Sequence, residues 1–190
     1  MPSKKIHIVT MPQLNRALAT VSDELHSHGL WEDQAEHVDV ILGTIGSAFG
    51  VYGWQDTGEA GEIVIPSFSG SKLMDRFWHG EYTPLTDVLR HEFGHALANM
   101  NKALVRSSKF TDAFDGSHDC GTEFEYDPDV HVTGYASTDP SEDWAEVFMF
   151  YLKHDGSLPS SLDTPTIRAK WAFVRKFAAA VRSGRRRWSA

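Results

Sequence analysis

A single cysteine, Cys120, is all the sulfhydryl chemistry the chain has, so no intrachain disulfide can staple the fold and the redox character of its compartment stays open. Long apolar runs are missing as well. The opening MPSKKIHIVT carries positive charge but no apolar stretch long enough for a secretory signal, and nothing later reaches the ~20 residues of a membrane-spanning helix. A cytoplasmic protein is the expectation, or a secreted one if the sequence is a trimmed piece of an exported chain. Positive charge is the third scarcity: 18 Lys and Arg face 26 Asp and Glu, for a formal charge of -8 and a pI near 5.6. That balance speaks against general binding to nucleic acid or to an anionic membrane. The one basic run, Arg185 to Arg187, reads as a short solvated tail. There is no repeat and no low-complexity linker, and 190 residues with 41% hydrophobic content suffice for one domain with a sizeable core.

What the chain does have is concentrated in Thr83 to Leu104, TPLTDVLRHEFGHALANMNKAL. Thr83 can cap a helix and Pro84 suits its first position, where a missing N–H costs nothing. Leu85, Val88, Leu89, Phe93, Ala96, Leu97, Met100 and Leu104 recur at three- and four-residue spacing, as an amphipathic helix requires. His91 and His95 then project side by side from consecutive turns, at the edge of the apolar stripe. Glu92 points into the apolar arc, where an unpaired carboxylate would cost several kcal/mol, so something polar must meet it. His-Glu-x-x-His on a helix suits a zinc ion held by the two histidines, with Glu92 as general base for an activated water. The bland reading is two surface histidines flanking an ion-paired glutamate.

A catalytic zinc normally has a third protein ligand and one open position. No third histidine follows closely, since the chain after His95 reads ALANMNKALV. The candidate lies in Tyr135 to Tyr151, YASTDPSEDWAEVFMFY, where Glu142 and Glu146 share one face of a helix crowded with Trp144, Val147, Phe148, Phe150 and Tyr151. Two like charges at that spacing repel unless a cation sits near them. Glu142 is then either the third ligand or an ordinary first-turn acid of a helix starting at Asp139 and Pro140. Glu146 would sit one turn along, in reach of the free ring N–H of a ligating histidine.

In these two motifs the chain resembles the gluzincin metallopeptidases, in which HExxH pairs with a glutamate on a later helix. Tyr135, Glu142 and Glu146 are similar to the tyrosine, zinc-ligand glutamate and outer glutamate of the group containing the anthrax lethal factor catalytic domain and the bacterial Pro-Pro endopeptidases, and EDWAE is similar to strings in other bacterial zinc peptidases. The resemblance runs from about Tyr52 to the last helix. It implies one Zn2+ per chain, and it implies that Tyr135 donates a hydrogen bond to the oxyanion formed on a scissile carbonyl. A buried core tyrosine is the alternative. It also implies an α+β, zincin-like fold, with a small mixed sheet whose edge strand lies over the HExxH helix. The organisation expected over 1–190 is a helical part at 1–50, a catalytic core at 51–182 and the basic tail at 183–190.

The rest of the chain reads as scaffold. Lys5 to Thr10 alternates like a short strand, Pro12 through His28 reads as a helix ended by Gly29, and a second helix is expected from Glu32 to about Phe49 on Val38, Ile41, Leu42 and Ile45. His26, His28 and His37 lack partners at ligand spacing and read as solvated. EIVIP, Glu62 to Pro66, is the clearest strand, and Pro66 favours an edge, which either pairs with extended substrate, as the resemblance implies, or is a plain sheet edge. The aromatic residues between Ser67 and Tyr82, Phe68, Phe77 and Trp78, either line a cleft or pack beneath it. Residues 107–133 are acidic and turn-rich and match no EF-hand, so a mobile loop is expected, with His118 and Cys120 lacking finger-like partners. Thr164 and Pro165 open a last helix with Ile167, Trp171, Val174, Phe177 and Val181 on its buried face.

The reading that follows is a zinc endopeptidase acting on a peptide or protein substrate, with no nucleic acid or membrane partner. Its rivals are a zinc-containing regulatory or toxin-like module specific for one partner, and a catalytically silent binding domain stabilised by metal.

Overall fold

The computed structural model describes residues 9–31, 35–43, 51–53, 61–67 and 84–188. Helix α1, Met11–Ser27, begins where Thr10 donates its backbone N–H to the Gln13 side chain at 2.9 Å. It ends at Gly29, whose φ of 67° lets Leu30 N–H turn back onto Leu25 O at 2.8 Å. Of the strand expected at 5–10, residues 5–8 lie outside the described residues. Thr10 is the cap of α1, and Val9 bonds Ser67 O at 3.1 Å.

The helix expected from Glu32 to Phe49 is not formed. Ala35–His37 makes one 3-10 turn and Asp39–Gly43 is strand β1, while residues 32–34 and 44–50 lie outside the described residues. Val38, Ile41 and Leu42 fit a helical period, but a parallel partner strand overrides that local preference. The partner is β3, Glu62–Pro66, in register from Asp39 opposite Glu62 to Gly43 opposite Pro66. Strand β2, Val51–Gly53, pairs antiparallel with the first half of β3, so the order is β1-β3-β2. EIVIP is therefore the centre of this sheet and not its edge. Pro66 is accommodated because it lies beyond the β2 pairing, and the ladder to β1 continues through Ser67 N–H, which donates to Gly43 O at 3.1 Å. Among the described strands, the outermost one on the side of the HExxH helix is β2.

That helix is α2, Leu85–Met100. Thr83 lies outside the described residues, and Pro84 takes the cap position, its carbonyl accepting from Asp87 and Val88. The single helix expected to Leu104 breaks at Asn101, after which Lys102–Val105 forms a short α3. The region expected as a loop contains α4, Ser108–Phe114, capped by the Ser107 hydroxyl, because Phe110 and Phe114 stack one turn apart in the core. Tyr135–Thr138 is a 3-10 turn leading into α5, Pro140–Lys153, whose cap Asp139 accepts the Ser141 N–H at 2.7 Å. The last helix, α6, Pro165–Arg182, starts at Thr164 as expected and buries Ile167, Trp171, Val174, Phe177 and Val181.

The core lies between α2, α5 and α6, with the sheet and α1 against α2. Buried charges tie these elements. Arg90 on α2 pairs with Glu24 of α1 at 2.6 Å and with Asp87, which also receives Lys153 of α5 at 2.6 Å. Lys170 of α6 is 1% exposed and bridges Asp143 of α5 and Val130 O. The basic tail is not simply solvated: Trp188 packs on Phe173 and donates to Leu104 O at 2.9 Å, and Arg186 donates to Asn101. His28 is likewise half-buried, 3.2 Å from Asp155 and with its ring tilted against that of Tyr151. No described helix is long and apolar enough to cross a membrane.

Candidate metal centre

Helical geometry brings His91 and His95 together, and Gly94 brings the third group. A Cβ built at Gly94 would lie 3.3 Å from Ala145 Cα and 3.2 Å from Phe148, so only glycine lets α5 cross α2 this closely without repacking. Trp144 locks the crossing by donating its indole N–H to Gly94 O at 2.9 Å. Two residues earlier on α5, Glu142 then reaches over the histidine pair. His91 Nε2 and His95 Nε2 are 3.1 Å apart, and Glu142 Oε2 lies 3.1 Å from the first and 3.3 Å from the second.

Three acceptor atoms cannot converge so closely without a proton or a cation between them. Zinc with ligand bonds of about 2.0–2.1 Å and tetrahedral angles would hold its ligand atoms roughly 3.3 Å apart, so the triangle fits such an ion. Among the described residues this is the one group of three or more His, Cys, Asp or Glu donors within 4.8 Å of one another. Cys120 is exposed and takes no part in it.

The carboxylates around the triangle act on it differently. Burial by itself would lower the pKa of His91, but its hydrogen bonds to Glu142 and Glu146, and the charges of Glu146 and Glu92, raise it to about 10. Burial likewise works to raise Glu142, yet the two histidines hold it far below the usual carboxylate range. In the metal-free protein a proton on the imidazole thus does part of a cation's work. Glu146, 4% exposed, accepts from His91 Nδ1 at 2.8 Å, which leaves Nε2 directed at the centre of the triangle. Its other oxygen takes the Thr133 hydroxyl at 2.7 Å.

Glu92 is 5% exposed, and burial raises its pKa against the pull of His91 and His95. The polar partner its position demands is the Tyr52 backbone N–H of β2. Tyr135 lies with its ring centroid 5.7 Å from that of His91, and its hydroxyl bonds Glu142. Burial and the charges of Glu142 and Glu92 push that phenol well above its ordinary pKa, so it stays a donor. These groups open into a cavity of about 470 Å3 that continues along α2 and α3 past Asn99 and Lys102 to Arg106.

The structure therefore brings together all six residues singled out in the sequence: His91, Glu92, His95, Tyr135, Glu142 and Glu146. It adds others. Tyr52 and Asn99 bond each other at 3.2 Å on the cleft wall, and His118, held by Asp119 at 2.8 Å, lines the same cleft. Thr133 carried no signal, since a hydroxyl 13 residues before its carboxylate partner follows no periodicity. Phe68, Phe77 and Trp78 lie outside the described residues. In comparisons with known proteins, no family model, no curated protein and no solved structure matches this chain.

Proposed function

We propose that this chain is a zinc-dependent endopeptidase of the gluzincin type, with His91, His95 and Glu142 as ligands and Glu92 as general base. The observation that carries the reading is the 3.1, 3.1 and 3.3 Å triangle of acceptor atoms beside a buried carboxylate in an open cleft. A zinc ion bound there supplies Lewis acidity, which brings the pKa of a water toward neutrality and polarises a carbonyl. Glu92, made more basic by burial, takes the proton of the attacking water and returns it to the leaving amine as the peptide bond breaks. Tyr135 remains protonated and turns its phenol from Glu142 to the oxygen of the tetrahedral intermediate. Glu146 fixes the tautomer and ring orientation of His91. Strand β2 beside α2 serves the general base, its Tyr52 backbone N–H bonding Glu92 while Tyr52 stands on the cleft wall.

The test is elemental analysis of exhaustively dialysed protein, followed by turnover on a peptide library. About one zinc per chain is expected in the wild type, none in Glu142→Ala, and weakened retention in Glu146→Ala. Glu92→Gln should keep its zinc and lose turnover by a factor of about 10² or more. A wild type that takes up no zinc, or a fully active Glu92→Gln, would overturn the proposal. A hydroxamate that raises the melting temperature of the zinc-loaded protein separates an open catalytic site from a closed structural one.

A further inference from the structure

One hydroxyl joins the metal centre to the turn that carries Tyr135. Thr133 Oγ1 donates to Glu146 Oε2 at 2.7 Å and accepts the backbone N–H of Ala136 at 3.1 Å. A carboxylate can only accept, so the single hydroxyl proton is committed to Glu146, and an oxygen lone pair is left for Ala136. Glu146 Oε1 in turn bonds His91 Nδ1 at 2.8 Å. An unbroken line of hydrogen bonds therefore runs from His91 through Glu146 and Thr133 to the 3-10 turn Tyr135–Thr138.

The phenol itself is held at its tip by the hydrogen bond to Glu142, with its ring tilted against His91. Tyr135 keeps 37% of its surface exposed, so packing grips its ring weakly, whereas Ala136 beside it is fully buried. The turn is closed internally by Ser137 Oγ on Gly134 O at 2.9 Å and Thr138 Oγ1 on Tyr135 O at 2.7 Å, and its far end is tethered by the Phe124 N–H, which donates to Ser137 O at 2.8 Å. Upstream, the buried Lys170 pins Val130 O at 2.6 Å, three residues before Thr133. At the leading end of the turn, the Thr133 hydroxyl is the bond that ties it to the carboxylate partner of His91.

We propose that Thr133 is a positioning residue, its hydroxyl holding the Tyr135 turn in register with the metal-ligating histidine through Glu146. The proposal rests on the peptidase reading for the role of Tyr135, while its link to Glu146 stands on metal affinity alone. Thr133→Val keeps the shape and removes the hydroxyl, and Thr133→Ser keeps the hydroxyl. Zinc affinity, by chelator competition, and kcat and KM, on a peptide the wild type cleaves, are measured for both variants, alone and combined with Tyr135→Phe and Glu146→Gln.

Thr133→Val is expected to lose about tenfold in kcat with little change in KM, and about tenfold in zinc affinity, and Thr133→Ser to recover both. Because the groups act as one unit, Thr133→Val added to Tyr135→Phe should lower kcat no further, and added to Glu146→Gln should weaken zinc no further. Wild-type kcat and zinc affinity in Thr133→Val, or losses that multiply in the double variants, overturn the proposal. If the wild type holds zinc but cleaves nothing, the peptidase reading and the role through Tyr135 fall together, and the zinc arm still decides the coupling to Glu146.

Discussion

His91 shows how a single side chain takes its chemistry from its neighbours. Its ring lies between Glu142 and Glu146, with His95 against its Nε2 face, and with no metal bound these carboxylates raise its pKa to about 10. An unfolded histidine releases its proton near ~6.5, so the folded state binds more protons between these values. The stabilisation from His91 is thus fully present below pH ~6.5 and is lost as pH rises toward 10. Glu142 has the opposite sign: its depressed value contributes stability above the ordinary carboxylate range and loses it as pH falls. Zinc needs the imidazoles neutral, so its own stabilisation grows with pH. Melting temperatures of stripped and zinc-loaded protein should therefore diverge between about pH 6 and 9. A gap that stays constant over this range would show that His91 is already neutral without metal. At this scale the proposed ligands His91 and His95 were legible because i and i+4 share a helix face wherever the helix lies. Thr133 and Tyr52 were not, because their roles exist only across elements.

Among the elements, the crossing of α2 and α5 decides whether the residues become a site. Gly94 is buried against Ala145 and Phe148, and a side chain there must push α5 away. Gly94→Val is expected to destabilise the fold by about 1–3 kcal/mol through overpacking, partly offset by the better helix propensity of valine. Displacing α5 also withdraws Glu142, so zinc affinity should fall even though no ligand is changed. Urea unfolding and chelator competition on the same sample check both; loss of stability with zinc affinity intact would place the ligand outside the control of this crossing. The elements read correctly from sequence were those with local start and stop signals, such as α6 with Thr164 and Pro165, or α1 with Gly29. The errors came where pairing outweighed local pattern. Residues 39–43 became a strand because β3 lay alongside, and EIVIP became central because both of its sides found partners.

Across the whole molecule, charges buried between helices hold the layers in one arrangement. Lys170 is the clearest case, 1% exposed, on Asp143 at 2.5 Å, one residue after Glu142. Burial already pushes the Asp143 carboxyl up to about 6 against the pull of Lys170. Removing the lysine leaves that carboxyl without its cation, and Lys170→Met should cost about 3–5 kcal/mol. Combining it with Asp143→Leu should recover most of the loss, because an apolar pair of similar volume needs no compensation. Equal unfolding free energies for the single and double variants, measured in urea, would show that the pair does not act as a unit.

By itself the sequence determined the local facts: two histidines over one point, a glutamate facing the apolar side, a second helix with glutamates one turn apart, and an aromatic core large enough to hold them. Each follows from the 3.6-residue period and from capping, which operate within a few residues. Only the tertiary structure decided that Glu142 reaches both histidines, that β2 rather than EIVIP borders the cleft, and that Thr133, 13 residues from Glu146, joins that carboxylate to the Ala136 N–H of the turn after it. Those outcomes depend on which elements meet across the core. That choice is a sum over many long-range packing and hydrogen-bonding contacts, and no spacing in the chain records it.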